Sequence, residues 1–150
     1  MRALLLAWLL ACGVAHAAPQ LADFTLPALA GGDDLPLASL QGQPYLISFF
    51  EPECGWCRKQ LKDLAQLAPA QQLPVVAAGI GSNAPGLRQL VSGIDQIHKV
   101  QAPAALLRAL GGIKATPLTL LVNSQGEISF VARGYLGVEG TAALLGRAEN

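Results

Sequence analysis

Apolar residues gather along this chain in short groups of differing spacing, and the spacing separates strands from helices. Tyr45 to Phe50 (Tyr-Leu-Ile-Ser-Phe-Phe) is nearly continuous in apolar and aromatic side chains, the pattern of a central strand covered on both faces. From Gly55 the period lengthens: Cys57, Leu61, Leu64, Ala65 and Ala68 recur at helical spacing, with Arg58, Lys59, Lys62, Asp63 and Gln66 on the other faces. Pro69 predicts the end of that helix. Val75 to Ile80 reads as a second buried strand, followed by predicted helices over Gly86 to Val91 and Ala104 to Leu110. Strand, helix and strand in that order imply a parallel crossover.

The last third is patterned differently. Leu118 to Val122 is a strand, Asn123-Ser124-Gln125-Gly126 is turn chemistry, and Ile128 and Phe130 alternate with Glu127 and Ser129, so a hairpin is predicted. Thr141 to Arg147, with Ala142, Leu144 and Leu145, is an amphipathic segment that would close against the sheet. Gly and Pro clusters at Ala30 to Asp34, Gly42 to Pro44, Asn83 to Gly86 and Gly111-Gly112 separate these elements, and no internal repeat or low-complexity tract interrupts them. The expected class is α/β with a mixed sheet. At 150 residues, 52% hydrophobic and 13% charged, the chain suffices for one core and is too short for two.

The N-terminus changes that picture. Arg2 precedes an apolar run from Ala3 to Ala11, and Ala15-His16-Ala17 offers small residues at both positions a signal peptidase reads. The expectation is a signal peptide over residues 1–17 and a domain over 18–150. A membrane anchor is the competing reading, but the run falls short of the roughly 20 residues a spanning helix needs. Leu9-Leu10-Ala11-Cys12 loosely resembles a lipobox, which makes a lipoprotein carrying lipid on Cys12 the minor alternative.

Cleavage after Ala17 removes Cys12 and leaves Cys54 and Cys57 as one close pair in an oxidising compartment. It also removes Arg2, leaving nine basic residues against ten acidic ones, a net of −1. No basic run could neutralise phosphates along a duplex, so nucleic acid is not an expected partner.

Cys54-Gly55-Trp56-Cys57 stands where the buried strand hands over to the helix, so Cys54 is expected at the helix N-terminus and Cys57 one turn further in. Unpaired backbone N–H groups and the helix dipole favour negative charge there, and hence the Cys54 thiolate, the form that attacks a disulfide. A more buried Cys57 would resolve the mixed disulfide. A static disulfide and half of a zinc site are the competing readings. A structural zinc site wants four ligands, and after cleavage only His98 joins the two cysteines among the usual nitrogen and sulfur donors. A pair closing so short a loop removes little unfolded-chain entropy, which makes it an inefficient staple.

Taken in order, Asp23 to Pro27, Leu37 to Pro44, Tyr45 to Phe50, Cys54 to Cys57 and Thr116-Pro117 through Gly126 resemble the thioredoxin superfamily, and within it the exported TlpA-like redoxins. The resemblance covers nearly all of the chain after residue 17. It implies a thioredoxin-like fold, a central mixed β-sheet flanked by helices with an N-terminal strand extension. It further implies a cis bond before Pro117, facing the cysteines, with the Thr116 backbone turned toward them to pair with an extended substrate segment. Trp56, Thr116 and Pro117 are then the expected substrate-binding residues, Cys54 and Cys57 the catalytic ones, and neither a cofactor nor a metal is expected. The implied function is reduction or exchange of disulfides in extracytoplasmic proteins of the periplasm, apocytochrome c maturation being one family-typical task. A membrane electron donor of DsbD type and a monomeric state go with it.

The departures from the family bear on proton handling. Glu53 replaces the Trp often found before the first cysteine, Gln60 a common Glu, and Ser48 the buried acid of thioredoxins. Glu51 and Glu53 are either solvated loop charges or substitutes for that acid. Both carboxylates oppose a thiolate at Cys54, which favours the disulfide form and makes a reductant the expected direction. Two other functions compete. A thiol peroxidase would place Thr or Ser three residues before its cysteine, where Glu51 and Cys54 stand instead. A copper chaperone of the same fold would need a late histidine, whereas His98 precedes Pro117.

Overall fold

The computed structural model of the chain describes residues 20–148. The expected leader over 1–17, with Cys12 and the cleavage site, lies outside the described residues. Among those described, no helix is long and apolar enough to cross a membrane.

The run from Tyr45 to Phe50 forms strand β3, every residue of it buried, at the middle of a five-stranded sheet. The other strands are β4 (Val75–Gly79), β5 (His98–Gln101), β6 (Leu118–Val122) and β7 (Ile128–Arg133), in the order β5-β4-β3-β6-β7. β4 runs parallel to β3 and β5 parallel to β4, while β6 is antiparallel to β3 and β7 to β6. The sheet is therefore mixed, and its two halves correspond to the crossover and the hairpin expected from spacing.

Helix α1 (Gly55–Leu67) ends before Pro69, but the chain continues through a single 3-10 turn over Ala68–Gln71, because proline is tolerated in the first turn of a new helical segment. Helices α2 (Ala84–Val91), α3 (Ala104–Ala109) and α4 (Gly137–Gly146) follow. α2 begins two residues earlier than its apolar spacing suggests because Asn83 caps it, accepting from the Gly86 N–H at 3.0 Å. In α4 the buried side chains are Thr141, Leu144 and Leu145, and Ala142 faces solvent.

Alternation along β3 divides the core. Tyr45, Ile47 and Phe49 pack on one side with Leu106 of α3 and the N-terminal residues Leu21, Leu26, Leu37 and Leu40. Leu46 and Phe50 face the other side, where α1, α2 and α4 contribute Leu61, Leu64, Leu87, Leu90 and Leu144. The N-terminal extension is a small antiparallel pair, β1 (Thr25–Leu26) with β2 (Leu35–Pro36). Residues between these two strands lie along β5: Leu29 N–H donates to the Lys99 carbonyl at 3.0 Å, and Gln101 N–H to the Pro27 carbonyl at 2.8 Å. That contact covers the outer edge of β5, which would otherwise present unpaired backbone groups.

Candidate functional site

β3 ends at Phe50, and four residues, Glu51 to Cys54, carry the chain into α1. Glu53 adopts a left-handed backbone, φ 62°, which is unusual for a residue with a Cβ and turns the chain sharply at the helix entrance. The loop is braced from α2. A Cβ on Gly86 would lie 3.0 Å from Pro52 Cβ and 2.6 Å from the Asn83 amide nitrogen, so only glycine lets the first turn of α2 approach Pro52 this closely.

Cys54 caps α1, and it is joined to Cys57 by a disulfide with a Cα–Cα separation of 5.2 Å. The Cys57 N–H donates to Cys54 Sγ at 3.2 Å, so one of the orphan amides of the first turn is aimed at that sulfur. The two sulfurs differ in access. Cys57 is fully buried in a cluster with Phe50, Leu61, Ala77 and Leu87, whereas Cys54 is only partly buried and lines an open cleft.

The facing wall is the segment before β6. The Thr116–Pro117 bond is cis, as the family resemblance implies. β3 and β6 are paired so that Ser48 opposes Thr119, and the same register carried three residues outward brings Glu51 opposite Thr116. The Thr116 hydroxyl donates to Glu51 Oε2 at 2.8 Å and lies 3.8 Å from Cys54 Sγ, within hydrogen-bonding reach of sulfur. Glu51 is exposed, and its carboxylate accepts the hydroxyl of a residue that also reaches Cys54.

Trp56 projects from the first turn of α1 with 58% of its surface exposed. It stacks on Tyr135, ring centroids 5.4 Å apart, and Lys59 Nζ stands 4.4 Å from the indole centroid. The Tyr135 hydroxyl donates to Asp63 Oδ2 at 3.0 Å, and this bond to a carboxylate pushes the phenol above its ordinary pKa. Trp56, Thr116, Pro117, Gly134 and Tyr135 together line a shallow cleft of about 310 Å³. On the other side of Cys54 a wider cleft of about 740 Å³ runs between α1 and α2. Arg58 borders it, its guanidinium donating to the carbonyls of Leu90 and Ser92.

All five residues singled out in the sequence, Cys54, Trp56, Cys57, Thr116 and Pro117, thus converge on one end of the sheet. His98 does not join them: it is exposed on β5, two strands away from β3. Among the described residues no three His, Cys, Asp or Glu side chains form a metal-holding group. Ser48, where thioredoxins carry an acid, is buried and shares a hydrogen bond of 3.0 Å with Thr119. Gln60 is buried too. Its amide donates to Thr141 Oγ1 and accepts from the Leu136 N–H, both at 2.9 Å, so it ties α1 to the start of α4 through a donor and an acceptor at once. Tyr135, Asp63 and the Glu51–Thr116 contact carried no local signal, because each depends on residues 65 or more apart in sequence.

No protein-family model matches the chain, and no curated protein matches it. Solved structures do. MTB dsbF, in its mixed oxidized and reduced forms, superposes with a TM-score of 0.74 at 18% identity, covering 88% of this chain and 99% of that one. A thiol:disulfide interchange protein of the thioredoxin family from Chlorobium tepidum gives 0.73 at 22%, covering 85% and 93%. A secreted Mycobacterium tuberculosis disulfide oxidoreductase homologous to E. coli DsbE gives 0.68 at 21%, covering 84% and 94%. The fold is the thioredoxin-like α/β fold, with an N-terminal hairpin added to the five-stranded sheet.

Proposed function

We propose, from the thioredoxin-like fold shared with these proteins, that the chain is an exported thiol-disulfide oxidoreductase working on extracytoplasmic protein disulfides. The observation that carries this reading is the unequal placing of the two sulfurs. Cys54 is reachable and receives a helix N-terminal amide, and Cys57 sits behind it in the core.

In the dithiol form, the Cys54 thiolate attacks one sulfur of a substrate disulfide and expels the other as a thiolate, leaving a mixed disulfide. Cys57 then attacks Cys54 Sγ. The Cys54–Cys57 bond forms, the mixed disulfide breaks, and the departing substrate thiolate takes the proton that Cys57 releases. Two electrons pass to the substrate, and a dithiol donor restores the enzyme by the same steps in reverse. Trp56, Thr116 and Pro117 line the cleft in which an extended substrate segment would lie, its backbone beside Thr116.

The carboxylates of Glu51 and Glu53 oppose the thiolate, and destabilising the thiolate destabilises the reduced form, so the direction is reduction. A reductant in an oxidising compartment requires a membrane electron donor of DsbD type, and apocytochrome c is a fitting substrate class. The apolar run and Ala15-His16-Ala17 support export, as does the secreted state of the Mycobacterium tuberculosis neighbour.

Insulin reduction by the purified chain tests the activity. Cys54→Ser abolishes it, whereas Cys57→Ser still attacks and stalls as a mixed disulfide. A more accessible, more reactive thiol at Cys57 would reverse the assignment. Equilibration against glutathione buffers tests the direction, and a potential near that of DsbA would overturn it.

A further inference from the structure

The Thr116 hydroxyl carries one hydrogen and stands between two acceptors. One is the Glu51 carboxylate at 2.8 Å, the other Cys54 Sγ at 3.8 Å. In the disulfide the sulfur is a feeble acceptor, and the hydrogen goes to the carboxylate. Once the pair is reduced and Cys54 ionises, a thiolate competes for the same hydrogen, because bonds to a charged acceptor are about twice as strong as neutral ones. A single hydroxyl cannot serve both.

We infer that Glu51 is a positioning residue that sets the acidity of Cys54 through Thr116, by holding the hydroxyl that would otherwise stabilise the thiolate. This rests on Cys54 being the attacking thiol of the proposed oxidoreductase. The competition restrains ionisation of Cys54 beyond what the carboxylate charge does through space, and it lies at the rim because the buried position that could hold an acid is filled by Ser48 and its partner Thr119. The proton lost by Cys54 passes to solvent, and no other bond changes. The remaining charges around Cys54 are Glu53 beside it, Arg58 fixed on the α2 carbonyls, Lys59 over Trp56, Asp63 behind Tyr135, and Lys114 in the segment leading to Thr116. They are the same in every variant below.

The test is a cycle of four full-length proteins carrying Cys57→Ser: the parent, Glu51→Gln, Thr116→Val, and both together. Iodoacetamide alkylation at Cys54 is followed against pH by mass spectrometry of the peptide that contains it. With Thr116 present, Glu51→Gln exchanges the charged acceptor for a weaker neutral one, lets the hydroxyl turn to the thiolate and speeds alkylation below the thiol's titration about three- to ten-fold. With Val at position 116 the same change speeds it by less than about two-fold, the residue of a solvent-screened charge. Thr116→Ser retains the large effect. If Thr116→Val does not fold, Thr116→Ala replaces it in the cycle. Equal gains in both backgrounds, or no gain in either, would overturn the inference. Insulin reduction by the unmutated chain is measured alongside: its absence would refute the oxidoreductase reading and leave the coupling standing, while an active chain without coupling would refute the coupling alone.

Discussion

The same two strands, in the same register, make two polar contacts of opposite character. Ser48 and Thr119 meet between β3 and β6 in the dry core, a neutral pair with no access to water. Three residues outward, Glu51 and Thr116 meet in the open, where one partner is charged and the Cys54 sulfur is a second neighbour. Burial decides what each contact does. The inner pair must satisfy itself or cost stability, and it cannot exchange partners. The rim pair contributes little to stability because water can replace either partner, and for that reason it is free to influence Cys54. The second inner contact, Gln60 with Thr141 and Leu136, and the second rim contact, Tyr135 with Asp63, follow the same division.

The largest effect is expected when the inner pair is given a charge. Ser48→Asp places a carboxyl where only the Thr119 hydroxyl can receive it, and stability should fall by on the order of 3 kcal/mol, with that carboxyl held protonated well above the usual range. Urea unfolding followed by circular dichroism measures it, and an unchanged midpoint would mean that water reaches this site.

Next in size is Gln60→Leu. It leaves the Leu136 N–H and the Thr141 hydroxyl without partners and should cost about 2 kcal/mol, offset only partly by the added apolar surface. Hydrogen exchange should show α4 loosening first. Ser48→Ala costs less, about 1 kcal/mol, since it orphans a single hydroxyl. It should leave the alkylation rate of Cys54 unchanged, and a change there would break the division between inner and rim contacts.

On the rim, Glu51→Gln should alter stability by no more than about 0.5 kcal/mol while it moves the reactivity of Cys54. The smallest effect is a titration. Bonding to Asp63 raises the Tyr135 pKa, so the bond's contribution is present at neutral pH and is lost as pH climbs through that raised value. Asp63→Asn should bring the tyrosine's absorbance titration down toward the ordinary range.

Local sequence determined the parts of this molecule that rest on one segment at a time. The all-buried run of β3, the helical period of α1, the turn before β7 and the placing of Cys54 at a helix entrance follow from residues within a few positions of each other. β5 escaped because His98-Lys99-Val100-Gln101 has one buried apolar side chain, and its strand conformation comes from β4 on one side and the N-terminal extension on the other. The cis bond at Pro117 was accessible through family resemblance, not from Thr116-Pro117 itself. What only the tertiary structure decided are the contacts between distant segments. Glu51 could not be told from a solvated loop charge until the β3–β6 register set Thr116 against it, and Trp56 acquired its partner only when the chain after β7 brought Tyr135 to α1. Hydrophobic periodicity reports which face of an element is buried, because burial is averaged over many side chains. It does not report which polar atom lies opposite which, because that depends on register and on the path of the chain between elements.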